Sequence, residues 1–326
     1  DVCMCARSTT LAPTRSMDQL YSTVETSNFS SSPGSLPHPS WDYRNLVPAV
    51  ALSLCFSVGV PGNISVIILR PNWEHLSSLS QSLMLNLAVS DLFCLLTLPL
   101  WIYALLYGWT FSLVSCKLLT YVVYCSLYGS LLTVTGLSIQ RYLLVVHQLS
   151  CQRIQKRLLL VLLWLVALIL SIPTLVVRDL KTEQQWPDCQ AQYSSDAQQV
   201  AVMMTETVFG FASFFTVALA YVFLRKKLNQ AAFFNNPQTT RLITSIIVSF
   251  FVLWVPYLTI NVLGVAAICL KNEELLKFCT KTGNIFRSLT FVNSCLNPLL
   301  YTFTSCKFCA ILFCCKINNL NYKICH

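Results

Sequence analysis

Seven apolar stretches separated by short polar breaks run along the chain: Leu46–Leu69, Ser82–Tyr107, Leu113–Val146, Leu158–Val177, Val200–Leu224, Leu242–Leu270 and Gly283–Phe303. Each is long enough to cross ~30 Å of hydrocarbon at ~1.5 Å per residue. Their apolar residues are continuous rather than alternating, so helices, not barrel strands, must satisfy the backbone in lipid. The pattern predicts an all-α membrane protein, a seven-helix bundle. The seventh stretch is the least apolar and holds Asn284, Arg287, Asn293 and Asn297. Polar groups at that depth are tolerated where they face protein or a water-filled cavity.

Composition sharpens this reading. The 326 residues are 55% hydrophobic and 11% charged, with a net charge of +9. Soluble domains carry about a quarter charged residues, and a soluble α/β core would show short, strand-length apolar runs. Residues 1–44 are rich in Ser, Thr and Pro and lack helical periodicity, so they read as a disordered tail. No basic start with an apolar core precedes Leu46, and the first span is expected to serve as signal anchor. Were Met17 the start, residues 1–16 would fall outside the mature chain.

An odd number of spans puts the two ends on opposite sides. With the N-terminus outside, the inner segments carry Arg70, Arg153, Lys156, Arg157, Arg225, Lys226, Lys227, Arg241, Lys307, Lys316 and Lys323. The outer segments carry Arg44, Lys117, Arg178, Lys181, Lys271, Lys277 and Lys281. The excess of inner cations favours that orientation. Asn28-Phe-Ser is then a glycosylation acceptor on the outer tail. Asn63-Ile-Ser has the same form but lies inside a span and is rejected.

There are sixteen cysteines. Cys116, at the outer head of the third span, and Cys189, in the loop after the fourth, are placed to form a disulfide in an oxidising compartment. Cys306, Cys309, Cys314 and Cys315 follow the last span in a membrane-proximal amphipathic stretch, residues 305–326. A zinc site is one reading of that cluster; palmitoylation of a short amphipathic helix is the other, and fits its position better. The histidines (His38, His75, His147 and His326) lie in the tail, loops or span ends, away from any buried nucleophile. No catalytic set appears, so the chain is not expected to be an enzyme. A transporter would show internal repeats or broken helices, and neither is present in the sequence.

Several motifs fall in order on successive spans: Gly62-Asn63, Leu87-Ala88-Val89-Ser90-Asp91, Cys116, Arg141-Tyr142, Trp164, Trp254-Val-Pro256 and Asn297-Pro298-Leu-Leu-Tyr301. Together, across residues 45–310, they resemble the rhodopsin class of G-protein-coupled receptors. "GVPGN", "WTFSLVSCKL", "RSLTFVNSCLNPLLY" and the glutamate before Phe211 are similar to the chemoattractant branch, nearest the leukotriene B4 receptors. The resemblance implies a plasma-membrane receptor for an extracellular lipid mediator of leukotriene B4 type or a chemotactic peptide. It further implies coupling to a heterotrimeric G protein of the inhibitory class, with membrane lipids and no nucleic acid among the partners.

Residue roles follow from that resemblance. Asp91 is a carboxylate near the middle of the second span, which must be neutralised, paired or bound to a cation. The resemblance places it beside Ser130, Asn293 and Asn297 and implies a sodium ion favouring the inactive state, a protonated Asp91 in a water network being the alternative. Ligand-facing candidates in the outer halves are Trp101, Tyr121, Tyr124, Tyr128, Arg178, Glu206, Tyr257 and Arg287, though the aromatics also suit plain packing. Arginine, tyrosines and apolar walls suit an amphipathic acid, with guanidinium on carboxylate. Glu206 would orient a hydroxyl or pair with Arg287. Two positions depart from the leukotriene-receptor pattern: Gly283 replaces a basic residue and Thr120 a histidine.

The switch residues implied by the resemblance are Gln140, Arg141, Tyr142, Trp254, Pro256, Asn297, Pro298 and Tyr301. Prolines 61, 99, 173, 256 and 298 each remove a helical hydrogen bond, and Pro256 makes the sixth span a lever. The fifth span lacks the family's proline, having Ser213 or Phe214 there, which leaves its register open. Gln140 stands where most of the family has Asp, and is expected to accept a weaker hydrogen bond from Arg141. Two outcomes are consistent with that change: elevated basal activity, or a scavenger receptor that does not signal.

Overall fold

Prolines and capping residues decide where these helices begin, break and stop. In the computed structural model, residues 43–70, 76–147, 153–183, 186–230 and 237–304 are described. Helix α1 spans Tyr43–Leu69 and contains Pro48 and Pro61. Helix α2 starts at Ser78, earlier than the apolar pattern indicated, because Ser77 caps it, its Oγ accepting from the Ser80 amide at 3.2 Å.

The second span, Ser78–Tyr107, breaks two residues before Pro99, one of the prolines expected to remove a helical hydrogen bond. α2 ends at Leu96, and a separate helix, α3, runs Leu98–Tyr107. Pro99 in the first turn of α3 has no N–H to give and would crowd a preceding carbonyl. Thr97 bridges the break, its Oγ1 donating to the Cys94 carbonyl at 2.7 Å. Gly108, at φ 76°, closes α3 in a conformation that suits glycine.

Helix α4 (Leu113–Val146) is the third span and α5 (Arg153–Val177) the fourth. The chain then forms an antiparallel hairpin of β1 (Arg178–Glu183) and β2 (Trp186–Ala191), with Leu180 opposite Cys189. This outer hairpin was not foreseen, since a helical membrane protein needs none. Helices α6 (Asp196–Gln230), α7 (Pro237–Cys269) and α8 (Glu273–Thr304) are the fifth to seventh spans. α5 to α8 all begin before their apolar runs, as polar turns extend beyond the hydrocarbon. The proposed amphipathic helix at 305–326 lies outside the described residues.

Six of the seven spans are long and apolar enough to cross a membrane by length and composition. The seventh, α8, is admitted by shelter: Asn293, Ser294 and Asn297 are buried. At the centre stands α4, where 78% of the apolar window is buried, against 28% in α5. Leu162, Leu165, Ile169 and Ile172 on α5 are exposed and suited to lipid. Around α4 the core joins Leu83 and Leu87 of α2 to Leu131 and Val134 of α4 and to Phe250 and Trp254 of α7.

Candidate functional site

On α4, Tyr124, Leu127 and Tyr128 share one face by their three- and four-residue spacing. They meet Glu206 of α6, Trp254 and Tyr257 of α7 and Thr290 of α8 around a narrow cavity with room for about one water molecule. Glu206 Oε2 accepts hydrogen bonds from the Tyr257 hydroxyl and from Asn261 Nδ2, the latter at 3.0 Å. Among the described residues no basic side chain pairs with Glu206. Trp254 lines the same cavity, and its buried indole N–H has no hydrogen-bond partner among the described residues.

Four of the eight predicted ligand-facing residues therefore come together: Tyr124, Tyr128, Glu206 and Tyr257. Three others stand elsewhere. Tyr121 points to α5, its hydroxyl donating to the Leu168 carbonyl at 3.1 Å. Trp101 packs on Trp109, with ring centroids 5.4 Å apart, in the cluster that holds Cys116 and Cys189. Arg178, at the start of β1, is buried and donates from Nη1 to the Cys189 carbonyl at 3.1 Å. The backbone of Arg287 lies in α8; its side chain is outside the described residues. Leu127, Asn261 and Thr290 went unnamed, although each follows a named candidate by three or four residues on the same helix.

Cys116 and Cys189 are bonded, with Cα atoms 5.7 Å apart. The bond ties the hairpin to the head of α4, and a hydrogen bond from the Trp109 amide to the Pro187 carbonyl, 2.8 Å, adds a second tie. The hairpin is thus held at the outer end of the bundle.

Deeper in the bundle, Asp91 is fully buried. Ser130 Oγ donates to its Oδ1 at 2.8 Å and Asn297 Nδ2 to its Oδ2 at 2.6 Å. Asn293 is buried one turn before Asn297, but neither of these bonds is its own. Asn63 joins the cluster from α1, donating to the Gly59 and Ser294 carbonyls at 2.9 and 3.0 Å. Among the described residues its buried Oδ1 has no hydrogen-bond partner, and neither has the hydroxyl of Ser90. One carboxylate with neutral oxygens suits a hard monovalent cation. Unpartnered buried oxygens are consistent with that fit, and no cluster of three acidic or thiol ligands exists among the described residues. Asp91 and Ser130 would hold such an ion, Asn63, Asn293 and Asn297 framing it, and it would supply positive charge to a buried carboxylate.

At the end of the bundle away from the hairpin, Arg141 lines a second cavity with Ser138 of α4, Ala220, Tyr221 and Leu224 of α6, and Thr244 and Ile247 of α7. Glu206 in one cavity and Tyr221 in the other show which face of α6 turns inward. Residues 206, 210, 213, 217, 220 and 224 form one helical stripe, and Gly210, Ser213, Val217 and Ala220 along it are buried.

Residues 62–301, more than half of the chain, match the model of the family described as 7 transmembrane receptor (rhodopsin family). The chain belongs to this family. The receptor is 30% identical over 288 residues to the C-C chemokine receptor type 7 of Homo sapiens, covering 83% of this chain and 76% of the relative. It is 30% identical over 274 residues to leukotriene B4 receptor 1 of Homo sapiens, covering 80% and 77%. With the C5a anaphylatoxin chemotactic receptor 1 of Canis lupus familiaris it shares 27% over 278 residues, covering 82% and 78%. These relatives are signalling receptors of the chemoattractant branch, not enzymes. They stand at nearly equal identity and do not single out one ligand.

The receptor's switch residues divide in the same way. Trp254 stacks beside Phe250 at 5.4 Å, below the outer cavity, and α7 runs unbroken through Pro256. Tyr142 lies against Phe223 of α6 at 6.0 Å. Pro298 is buried in α8, whereas the side chain of Tyr301 is outside the described residues. So are Asn28 and the cysteines at 306, 309, 314 and 315. Gln140 is engaged by α2, a pairing the sequence did not suggest. Ser80 Oγ donates to Gln140 Oε1 at 2.8 Å, and Gln140 Nε2 donates to Ser77 Oγ.

Proposed function

We propose that this receptor senses an extracellular chemoattractant at the plasma membrane, N-terminus outside, and activates a heterotrimeric G protein of the inhibitory class. The ligand is an acidic, hydroxylated lipid mediator of leukotriene B4 type. One observation carries this reading: a carboxylate acceptor (Glu206) and an unpartnered N–H donor (Trp254) line a cavity of about one water's size. A hydroxyl donates and accepts at once and suits both, whereas a carboxylate there would be repelled by Glu206. The acid end of the ligand belongs toward the outer rim, with Arg287 as anchor. The relative named leukotriene B4 receptor 1 supports the same ligand class. A sodium ion at Asp91 and Ser130 favours the inactive state.

Leukotriene B4, its methyl ester and a deoxy analogue, tested for binding and GTP exchange in receptor membranes, check this. Losing a hydrogen bond to a charged group costs about 1.5–3 kcal/mol, roughly ten- to a hundred-fold in affinity. Glu206→Leu is expected to weaken the hydroxylated lipid by that factor, Glu206→Gln by less, and neither to affect the deoxy analogue. Equal losses for both lipids, or no response to either acid, overturn the assignment. A peptide ligand meeting Glu206 is the second reading, supported by the similarity to the C-C chemokine receptor type 7 and the C5a anaphylatoxin chemotactic receptor 1. A Lys or Arg tip would then pair with it, and Glu206→Gln would cost as much as Glu206→Leu.

A further inference from the structure

We infer that Gln140, Ser77 and Ser80 form a neutral clasp between α4 and the first turn of α2, and that this clasp restrains the receptor's cytoplasmic face. The hydrogen bonds close a ring. Gln140 Nε2 donates to Ser77 Oγ, Ser77 Oγ to Ser80 Oγ at 3.1 Å, and Ser80 Oγ back to Gln140 Oε1 at 2.8 Å. Each of the three side chains both donates and accepts within the ring, and hydrogen bonds chained in this way polarise one another. Ser80 and Gln140 are 1% and 9% exposed, so water competes little for the ring.

The chemistry explains why an amide occupies position 140. Ser77 Oγ already accepts the Ser80 amide as the N-cap of α2, and its own proton goes to Ser80. To close the ring, the third member must both donate and accept, which glutamine does and a carboxylate cannot. Lys156 of α5 donates to Ser78 Oγ, so α5 reaches the same turn of α2. Arg141, one residue on and about 100° round the helix, lines the cavity between α4, α6 and α7 instead. Gln140 and Arg141 thus serve different faces of α4.

Hydrogen exchange of the α2 first turn, measured on the full chain in lipid nanodiscs, tests the clasp without any ligand or G protein. Ser80→Ala and Gln140→Ala are each expected to speed exchange there about tenfold, the loss of a neutral hydrogen bond or two. The double variant should be no faster than either single one. Ser80→Thr, which keeps the hydroxyl, should restore protection, and Arg141→Ala should leave it unchanged. Wild-type exchange in Gln140→Ala, or additive effects in the double variant, overturn the clasp.

The restraint on signalling rests on the proposed coupling to a G protein and has its own readout. Basal GTP exchange should rise several-fold in Ser80→Ala and in Gln140→Ala alike. Faster α2 exchange with unchanged basal GTP exchange leaves the clasp standing and overturns its restraining role. A wild-type receptor silent under every ligand overturns the proposed function, while hydrogen exchange still decides the clasp.

Discussion

A single methyl group added at Gly59 probes how closely α1 must approach its neighbours. A Cβ there would lie 2.6 Å from Leu95 Cδ1, 2.8 Å from Cys295 Cβ and 3.1 Å from Cys295 Cα. Leu95 is fully buried and cannot swing away, and the Cys295 contact includes backbone, so α1 itself has to retreat. Overpacking of this kind costs about 1–3 kcal/mol, and rigid neighbours place Gly59→Ala in the upper half. Alanine recovers about 0.5–1 kcal/mol of helix preference, leaving a net loss of about 2 kcal/mol. At ~2–4 °C per kcal/mol, the unfolding midpoint should fall by ~4–8 °C. The retreat would also stretch the bond from Asn63 to the Ser294 carbonyl, now 3.0 Å, and so disturb the Asp91 cluster. Gly136→Ala is the matched control, since its nearest contact would be Leu83 Cδ2 at 3.7 Å, ordinary packing. Thermal unfolding of both purified variants in one detergent decides the matter. A Gly59→Ala receptor as stable as Gly136→Ala would refute the packing argument.

Cys116→Ala frees the hairpin from α4 and should lower ligand binding and surface delivery together; flow cytometry beside radioligand binding would expose a receptor that keeps both. Asp91→Asn should abolish the sodium sensitivity of agonist affinity, read by replacing sodium with choline in the assay buffer, and a variant that still responds to sodium refutes the site. Asn86 Nδ2 donates to Thr133 Oγ1 at 2.7 Å and its Oδ1 accepts from Trp164 Nε1 at 2.8 Å. Asn86→Ala, by stranding the indole N–H, should destabilise the receptor by about 1–3 kcal/mol, measured as a lower midpoint that Trp164→Phe partly restores.

The number of spans and the depth of Asp91 are properties of one dimension. Hydrocarbon accepts only long apolar helices, so the pattern along the chain reveals them before any packing is known. A buried carboxylate in a span demands partners wherever the chain folds, so Asp91 stood out by itself, whereas Ser130, Asn293 and Asn297 were grouped with it only by the family resemblance. Cys116 and Cys189 were readable from their places, at the head of the third span and in the loop after the fourth.

Azimuth is different, since it depends on what each helix meets. Tyr121 and Tyr124 lie three residues apart on α4, yet Tyr121 reaches Leu168 while Tyr124 lines the cavity; the offset of about 60° between them is decided by which neighbour each ring meets. The break at Thr97 needed both Pro99 and a local cap, and membrane hydropathy runs straight across it. The outer hairpin is held by the disulfide and by strand pairing, which an apolar scan does not register. Gln140 is the clearest case. The sequence by itself determined that residue 140 brings no negative charge beside Arg141, but only the tertiary structure brought Ser77 and Ser80 to it. A hydrogen bond is decided by ångströms between groups far apart in the chain, and such distances exist only once the helices have packed.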